Sequence, residues 1–471
     1  MKVDAVKQPE TDGTPFSFRL LGIGFWQAWW MLVLCTTIVV PPDLSFLGVR
    51  PSVWTLLFTS VGFALAAAAA PRVGSFIERA SMFKLAALLC TVGTGACVAM
   101  RSLSDHDALA VLLLVFLMVA AFGNALLLVM WGELWATLAT DRVSQYLFSS
   151  YAFAFVLFFG VQLLPWMVTA VLVCLLPLAS CAILYASRDE TRRAPSAADF
   201  AVDRPLVVKA MGAVVVAGLA YGIAQSFYAN MASLHVAEGR PDLLVAGACF
   251  IALAAHIAFE RSAAAPIAMY RPIVPALSVG LILFAILPLA YGYFGNGLII
   301  VGGYCLDILI MLVSADLAFR ARRSVALFFS CSILVLRLAT IVGLAAVDIA
   351  VGRGVVSAES QLHLLAALAI LVILVGTLVF SQGELQRFYQ PQPAIRENRD
   401  LDDHCRALSE RCGLTAREAE VLVLLASGRN VPFICKELCI AESTARHHVG
   451  SIYRKLGVYD RQGMIDVILQ S

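Results

Sequence analysis

The stretch TARHHVGSIYRKLGV, residues 444–458, places Thr444, Arg446, His447, His448, Arg454 and Lys455 along about four turns of helix. Groups of this kind donate hydrogen bonds to phosphates and base edges. A helix from about Glu442 to Leu456 would bury Ala445, His448 or Val449, Ile452 and Leu456. Its outer face would then carry Ser443, Arg446, His447, Gly450, Ser451 and Arg454, and Gly457 would stop it. Upstream, LTAREAEVLVLLASG opens with Thr415 and Glu418 spaced as a capping box. Val421, Leu422, Leu424 and Leu425 supply its buried stripe, and Gly428 ends it. Pro432 suits the first turn of a short helix, PFICKEL, and Asp460 can cap a fourth helix reaching about Leu469. Helix, short helix, turn, then a longer helix with a basic outer face is helix-turn-helix geometry, whose last element enters the major groove of DNA.

A second set of polar residues lies in apolar sequence. Asp307 sits in GYCLDILIM and Arg337 in ILVLRLATI. Ionisable groups at mid-membrane are costly and face a bundle interior or a cavity. Their helices run antiparallel at similar depth, so the two are expected to pair in bidentate geometry. This either locks two helices or forms part of a ligand site. Gln27, Asn124 and Gln225 are isolated amides in other apolar runs, and Trp26 and Trp30 share one helical face. Trp131 and Trp135 read as interfacial belt residues, and His256 as packed and hydrogen-bonded. No Ser-His-Asp arrangement, phosphate loop or metal motif is present, so neither an enzyme nor a cofactor is expected.

The elements that position these residues follow from composition. The chain has 471 residues, 61% hydrophobic and only 14% charged, against roughly a quarter charged in soluble domains. Twelve of its 34 Lys and Arg fall after residue 380. A membrane region over 1–380, a cytoplasmic linker over 381–409 and a soluble domain over 410–471 follow. Of the twelve cysteines, eight lie in apolar runs, where they act as small hydrophobes, and no zinc spacing is evident. Twelve apolar segments, from about 20–40 to 362–380, can each cross roughly 30 Å of hydrocarbon. With the N-terminus inside, 17 Lys and Arg flank the inner ends and only Arg50, Arg101, Arg240 and Arg353 the outer ends. That bias places both termini in the cytoplasm of a multi-pass cell-membrane protein.

The longest inner loop, 188–206, falls after the sixth segment. Glu78-Arg79 after the second segment and Glu260-Arg261 after the eighth occupy equivalent places in two halves. This 6+6 arrangement resembles the major facilitator superfamily. Gly74, Glu78 and Arg79 match its loop signature in kind, whereas Ser81 replaces a glycine and the basic pair is missing. The resemblance implies a central cavity lined by helices 1, 4, 7 and 10, which carry Gln27, Trp30, Asn124, Gln225 and Asp307, with Arg337 beside Asp307.

LTAREAEVLVLLASG and IAESTARHHVGSIYRKLGVYDR resemble the LuxR/NarL-type DNA-binding domain over about 60 residues. That resemblance implies that Thr444 contacts phosphate and that Arg446 and His447 face the groove. It further implies that Gly450 and Arg454 lie on that face, that Lys455 and Arg461 lie near the DNA backbone, and that the fourth helix dimerises. Ala441 replaces the usual serine cap. Residues 410–471 hold eight Lys and Arg against seven Asp and Glu, a net of +1, so binding is expected to depend on a dimer. The expected fold is all-α: a polytopic membrane bundle of twelve transmembrane helices with a small four-helix helix-turn-helix domain. The expected function is a membrane-embedded one-component transcriptional regulator. Its partners would be double-stranded DNA, membrane lipid and a small-molecule effector. A facilitator-type secondary transporter with a regulatory C-terminal domain is the alternative.

Overall fold

The computed structural model describes residues 17–40, 49–101, 106–138, 140–188, 204–232, 240–259, 272–355, 358–379, 404–426, 431–438, 440–458, 464 and 467. Every regular element among them is helical. The chain divides into two compact units, one of Met1–Ser196 and Val202–Tyr389 and the other of Ala197–Ala201 and Gln390–Ser471.

The first unit contains α1 (Ile23–Cys35), α2 (Pro51–Val73), α3 (Ala80–Arg101), α4 (His106–Ala136), α5 (Thr140–Gln162) and α6 (Trp166–Ser187). It continues with α7 (Arg204–Ala232), α8 (Pro241–Phe259), α9 (Ile273–Ile286), α10 (Gly292–Arg320), α11 (Val325–Gly352) and α12 (Ala358–Val379). Long apolar runs become helices because hydrocarbon offers the backbone no other hydrogen-bond partner. Ten are long and apolar enough to cross a membrane, α1 with the 3₁₀ turn Phe18–Gly22 before it; α9 and the apolar part of α12 are shorter. Local thinning of the bilayer accommodates short spans at modest cost.

The contacts repeat with a shift of six helices. In the first half α1 packs on α5 and α6, α2 on α4, and α3 on α4 and α6. In the second, α7 packs on α11 and α12, α8 on α10, and α9 on α10 and α12. The halves meet where α2 packs on α11 and α5 on α8, two contacts that the same shift exchanges. Glycine permits the closest approaches. A methyl on Gly24 would lie 2.8 Å from the Ser150 carbonyl oxygen, and one on Gly222 would collide with that of Thr340. These are equivalent crossings, α1 on α5 and α7 on α11, and only a residue without Cβ lets the backbones meet there.

Two expectations fail here. Trp131 and Trp135 are not belt residues: they are 0% and 3% exposed, and Trp131 Nε1 donates to Ser180 Oγ at 3.1 Å. The packing of α6, α10 and α11 on α4 removes that helix end from lipid. His256 is exposed on α8 rather than packed in the interior. The loop after α2 is held by a residue the sequence did not single out. Glu133 of α4 accepts the N–H groups of Phe76 at 3.1 Å and Ile77 at 2.7 Å. Gly74, at φ 75°, turns the chain into that loop. Glu260-Arg261, its proposed counterpart, lies outside the described residues.

The second unit has its own core of Cys405, Leu408, Val421, Leu422, Leu425, Ile434, Ala445, Ile452 and Met464. Residues 404–411 are helical, so this domain begins to pack inside the stretch expected to be linker. The leading helix (Ala416–Ala426), the short helix (Val431–Glu437) and the long helix (Glu442–Leu456) follow. Gly428, Asp460 and most of the expected fourth helix lie outside the described residues.

Candidate functional site

The tail is built by capping and by one central carboxylate. The Thr415 N–H donates to Glu418 Oε2 at 2.7 Å, and the Glu418 N–H donates to Thr415 Oγ1 at 3.3 Å, which is the reciprocal capping box. Glu418 also reaches the long helix. Its Oε2 lies 2.7 Å from Lys455 Nζ, and its Oε1 accepts from Ser451 Oγ at 2.6 Å. The Lys455 ammonium, then the Ser451 hydroxyl and the Thr415 N–H, hold the Glu418 carboxyl down at about 2. Arg417 Nη2 donates to the Leu438 carbonyl at 2.6 Å and so ties the end of the short helix to the leading helix.

These anchors fix which face of the long helix stays open. Ala445 and Ile452 are fully buried, while Thr444, Arg446, His447, Gly450 and Arg454 are exposed. Ser451, assigned to the outer face, instead turns toward Glu418. Lys455 is likewise engaged: besides Glu418 it donates to the Gly413 carbonyl at 3.0 Å. Arg461 lies outside the described residues. Arg446 is paired with Glu442 one turn earlier at 2.6 Å, with 71% of its side chain exposed. Ala441 occupies the N-cap without a side-chain bond, and Gly457 closes the helix at φ 68°.

The membrane unit encloses a cavity of about 600 Å³. Trp30, Tyr221, Gln225, Tyr304, Asp307 and Arg337 lie on its wall, and Arg50, Tyr228 and Arg240 join them. Asp307 and Arg337 are 5% and 8% exposed and are joined by one hydrogen bond, Arg337 Nη2 to Asp307 Oδ2 at 3.3 Å. The pair is therefore not bidentate. Asp307 Oδ1 and Arg337 Nε have no partner among the described residues. The Arg337 guanidinium also lies 5.6 Å from the centre of the Trp30 ring, within cation–π range. Trp26 stacks on Trp30 with ring centres 6.2 Å apart.

The wall is drawn from α1, α2, α7, α10 and α11 rather than from α1, α4, α7 and α10. Gln27 and Asn124 stand outside it. Both are buried, and Gln27 Nε2 and both amide atoms of Asn124 lack partners among the described residues. Gln225 donates to Asn296 Oδ1 at 2.9 Å, and Asn296 donates to Asp242 Oδ2 at 3.0 Å. Arg240 forks onto that same Asp242 at 3.0 and 2.8 Å. Arg50 pairs with Asp348 of α11. Arg50 and Arg240, loop charges by sequence, thus stand on the cavity wall.

Two regions of the chain are similar to known proteins. The family of bacterial regulatory proteins named luxR matches residues 413–468. The probable transcriptional regulatory protein NarL of Mycobacterium tuberculosis is 48% identical over 52 residues, which is 11% of this chain and 24% of that protein. The chain thus spans about a quarter of the length of these relatives. The spore germination protein GerE of Bacillus subtilis is 39% identical over 56 residues, 12% of this chain and 76% of that protein. Over the membrane unit, a crystal structure of a bacterial homologue of the iron transporter ferroportin, outward-facing with soaked iron, aligns with a TM-score of 0.51. It is 13% identical and covers 77% of this chain and 96% of that one. That likeness establishes a shared helical membrane fold.

Proposed function

Since the chain belongs, through its C-terminal residues 413–468, to the luxR family of bacterial regulatory proteins, we propose that it is a membrane-embedded one-component transcriptional regulator. The bundle senses a small molecule or a membrane condition, and the tail binds promoter DNA as a dimer. The observation that carries this reading is the exposed row Thr444, Arg446, His447, Gly450 and Arg454 on a helix whose other face is locked by Ala445, Ile452 and the Glu418 bridge. Thr444 positions the helix on phosphate and Arg446 and His447 read base edges. Lys455 and Arg461 lie toward the DNA backbone. Lys455 adds charge there while it braces the domain. Trp30, Gln225, Asp307 and Arg337 belong to the effector cavity; Gln27 and Asn124 support the helices around it. Both termini face the cytoplasm.

Mapping the DNA bound by the intact protein in cells tests the reading. Discrete promoter sites, lost with Arg446→Ala, are expected. Enrichment no different from an untagged strain would refute DNA-directed regulation. Transport is the second reading, favoured by the fold shared with the ferroportin homologue. Uptake in proteoliposomes by a protein lacking residues 398–471 would support it.

A further inference from the structure

Arg50 and Arg240 hold equivalent places in the two halves. Arg50-Pro51 begins α2 and Arg240-Pro241 begins α8, at the end of the bundle opposite the start of α7. Each guanidinium crosses to the other half. Arg50 Nε donates to Asp348 Oδ2 of α11 at 3.3 Å, and its Nη2 donates to Ser226 Oγ of α7 at 3.0 Å. Arg240 Nη1 donates to the Cys35 carbonyl at the end of α1 at 3.2 Å. Arg240 does so from φ 48°, a conformation uncommon for a residue with a Cβ. Its fork onto Asp242 and its bond to Cys35 hold it there.

The two carboxylates that balance these arginines are not on the cavity wall. Asp242 is fully buried behind it, and neither Asp242 nor Asp348 lines the space. The wall itself presents three guanidiniums, of Arg50, Arg240 and Arg337, and one carboxylate, of Asp307. Arg50 uses Nε and Nη2, leaving Nη1 without a partner among the described residues. Arg337 Nε is buried and unpartnered as well. A guanidinium engaged along one edge still offers another, matched to a carboxylate. Trp30, Tyr221, Tyr228 and Tyr304 supply flat apolar surface beside these donors.

We infer that the cavity takes a small organic acid with one carboxylate and an aromatic or apolar body, the carboxylate docking on the open Nη1 of Arg50. This rests on reading the bundle as a sensor. A cationic ligand would meet three guanidiniums and one wall carboxylate, whose Oδ2 is bonded to Arg337. A second acidic group would be repelled by Asp307 on the same wall. A bound carboxylate competes for Arg50, one of the two arginines that join the halves, so occupancy and the separation of the halves are linked. The ligand shifts that equilibrium by its difference in affinity for the two arrangements.

The test uses the full-length protein in detergent. Benzoate, phenylacetate and indole-3-acetate are titrated beside their amides, which keep the body and remove the charge. Binding is read from tryptophan fluorescence and from the unfolding midpoint. At least one acid should bind and raise the midpoint, and its amide should bind about tenfold more weakly or worse. Arg50→Gln should weaken the acid by about tenfold, and Arg50→Lys should restore part of the loss. Amides binding as well as acids would overturn the inference, as would no acid binding below about 1 mM. If Arg50→Gln fails to fold, the acid–amide comparison on the unaltered protein decides. Promoter occupancy is read separately. Acid binding that leaves occupancy unchanged supports the site and removes the sensor reading; occupancy answering amides but not acids does the reverse.

Discussion

Asp307 on α10 and Arg337 on α11 meet through a single 3.3 Å hydrogen bond, and each keeps one polar atom without a partner among the described residues. In low dielectric, removing either partner strands the other's charge, a loss of about 3–5 kcal/mol for a buried pair. Asp307→Asn and Arg337→Leu should each lower the unfolding midpoint of the purified protein. The double variant should recover at least about 1 kcal/mol relative to the sum of the singles. Additive losses would show that the contact has no energetic weight.

Glu418 gives the tail a defined acid response. Its carboxyl lies at about 2 in the folded domain, below the ordinary 4.5, because Lys455, Ser451 and the Thr415 N–H favour the charged form. The folded pKa is depressed, so this stabilisation is complete above about pH 4.5 and fades as pH falls toward 2. Thermal unfolding of the tail should show that loss, and Glu418→Gln should flatten the profile in this window. Lys455→Met should cost about 2 kcal/mol at neutral pH. An unchanged midpoint in Lys455→Met would mean that the bridge is only a surface contact.

The tail was legible in detail because its signals are local. A capping box, an apolar stripe and a C-terminal glycine each act within a few residues, and they placed Thr415, Glu418, Ala445, Ile452 and Gly457 correctly. The Asp307–Arg337 pairing was legible because depth along antiparallel helices can be counted. Lateral neighbours cannot be counted that way. Trp131 sits at a helix end, where tryptophan marks the lipid interface, yet α10 and α11 cover that end. Arg50 and Arg240 looked like ordinary loop charges. The repeated Arg-Pro step before α2 and α8 was the available signal, and it gains meaning only once the halves are superposed.

Orientation can be settled directly. The 17-to-4 distribution of Lys and Arg predicts an N-terminus inside. Tags at Asp12, in the 188–206 loop and at the C-terminus should therefore report cytoplasm, and tags at Asp105 and Gly239 the exterior. A C-terminal tag reporting the exterior would remove the DNA-binding proposal along with the topology.

The pairing of Arg446 with Glu442 makes the last prediction specific. Arg446 is held at 2.6 Å by a carboxylate on the exposed face of the long helix. To reach a base edge it must leave Glu442, and Glu442 must come near the DNA backbone. Arg446→Ala should therefore erase about 1–3 kcal/mol of discrimination between the preferred site and its single-base variants. Thr444→Ala should instead weaken binding to all sequences similarly, because a phosphate contact carries no base information. Glu442→Gln should act in the opposite direction. It frees Arg446 and removes a negative charge from the approach, so affinity should rise for every DNA while the ranking of sites is kept. With a domain net charge of +1, the fall in affinity with salt should be shallow, reflecting few phosphate contacts per monomer. A dimer-forced tail, residues 398–471, titrated against promoter and scrambled DNA at two salt concentrations, measures all three variants together. If Glu442→Gln weakens binding and Arg446→Ala leaves discrimination intact, the exposed face of the long helix meets something other than a DNA groove.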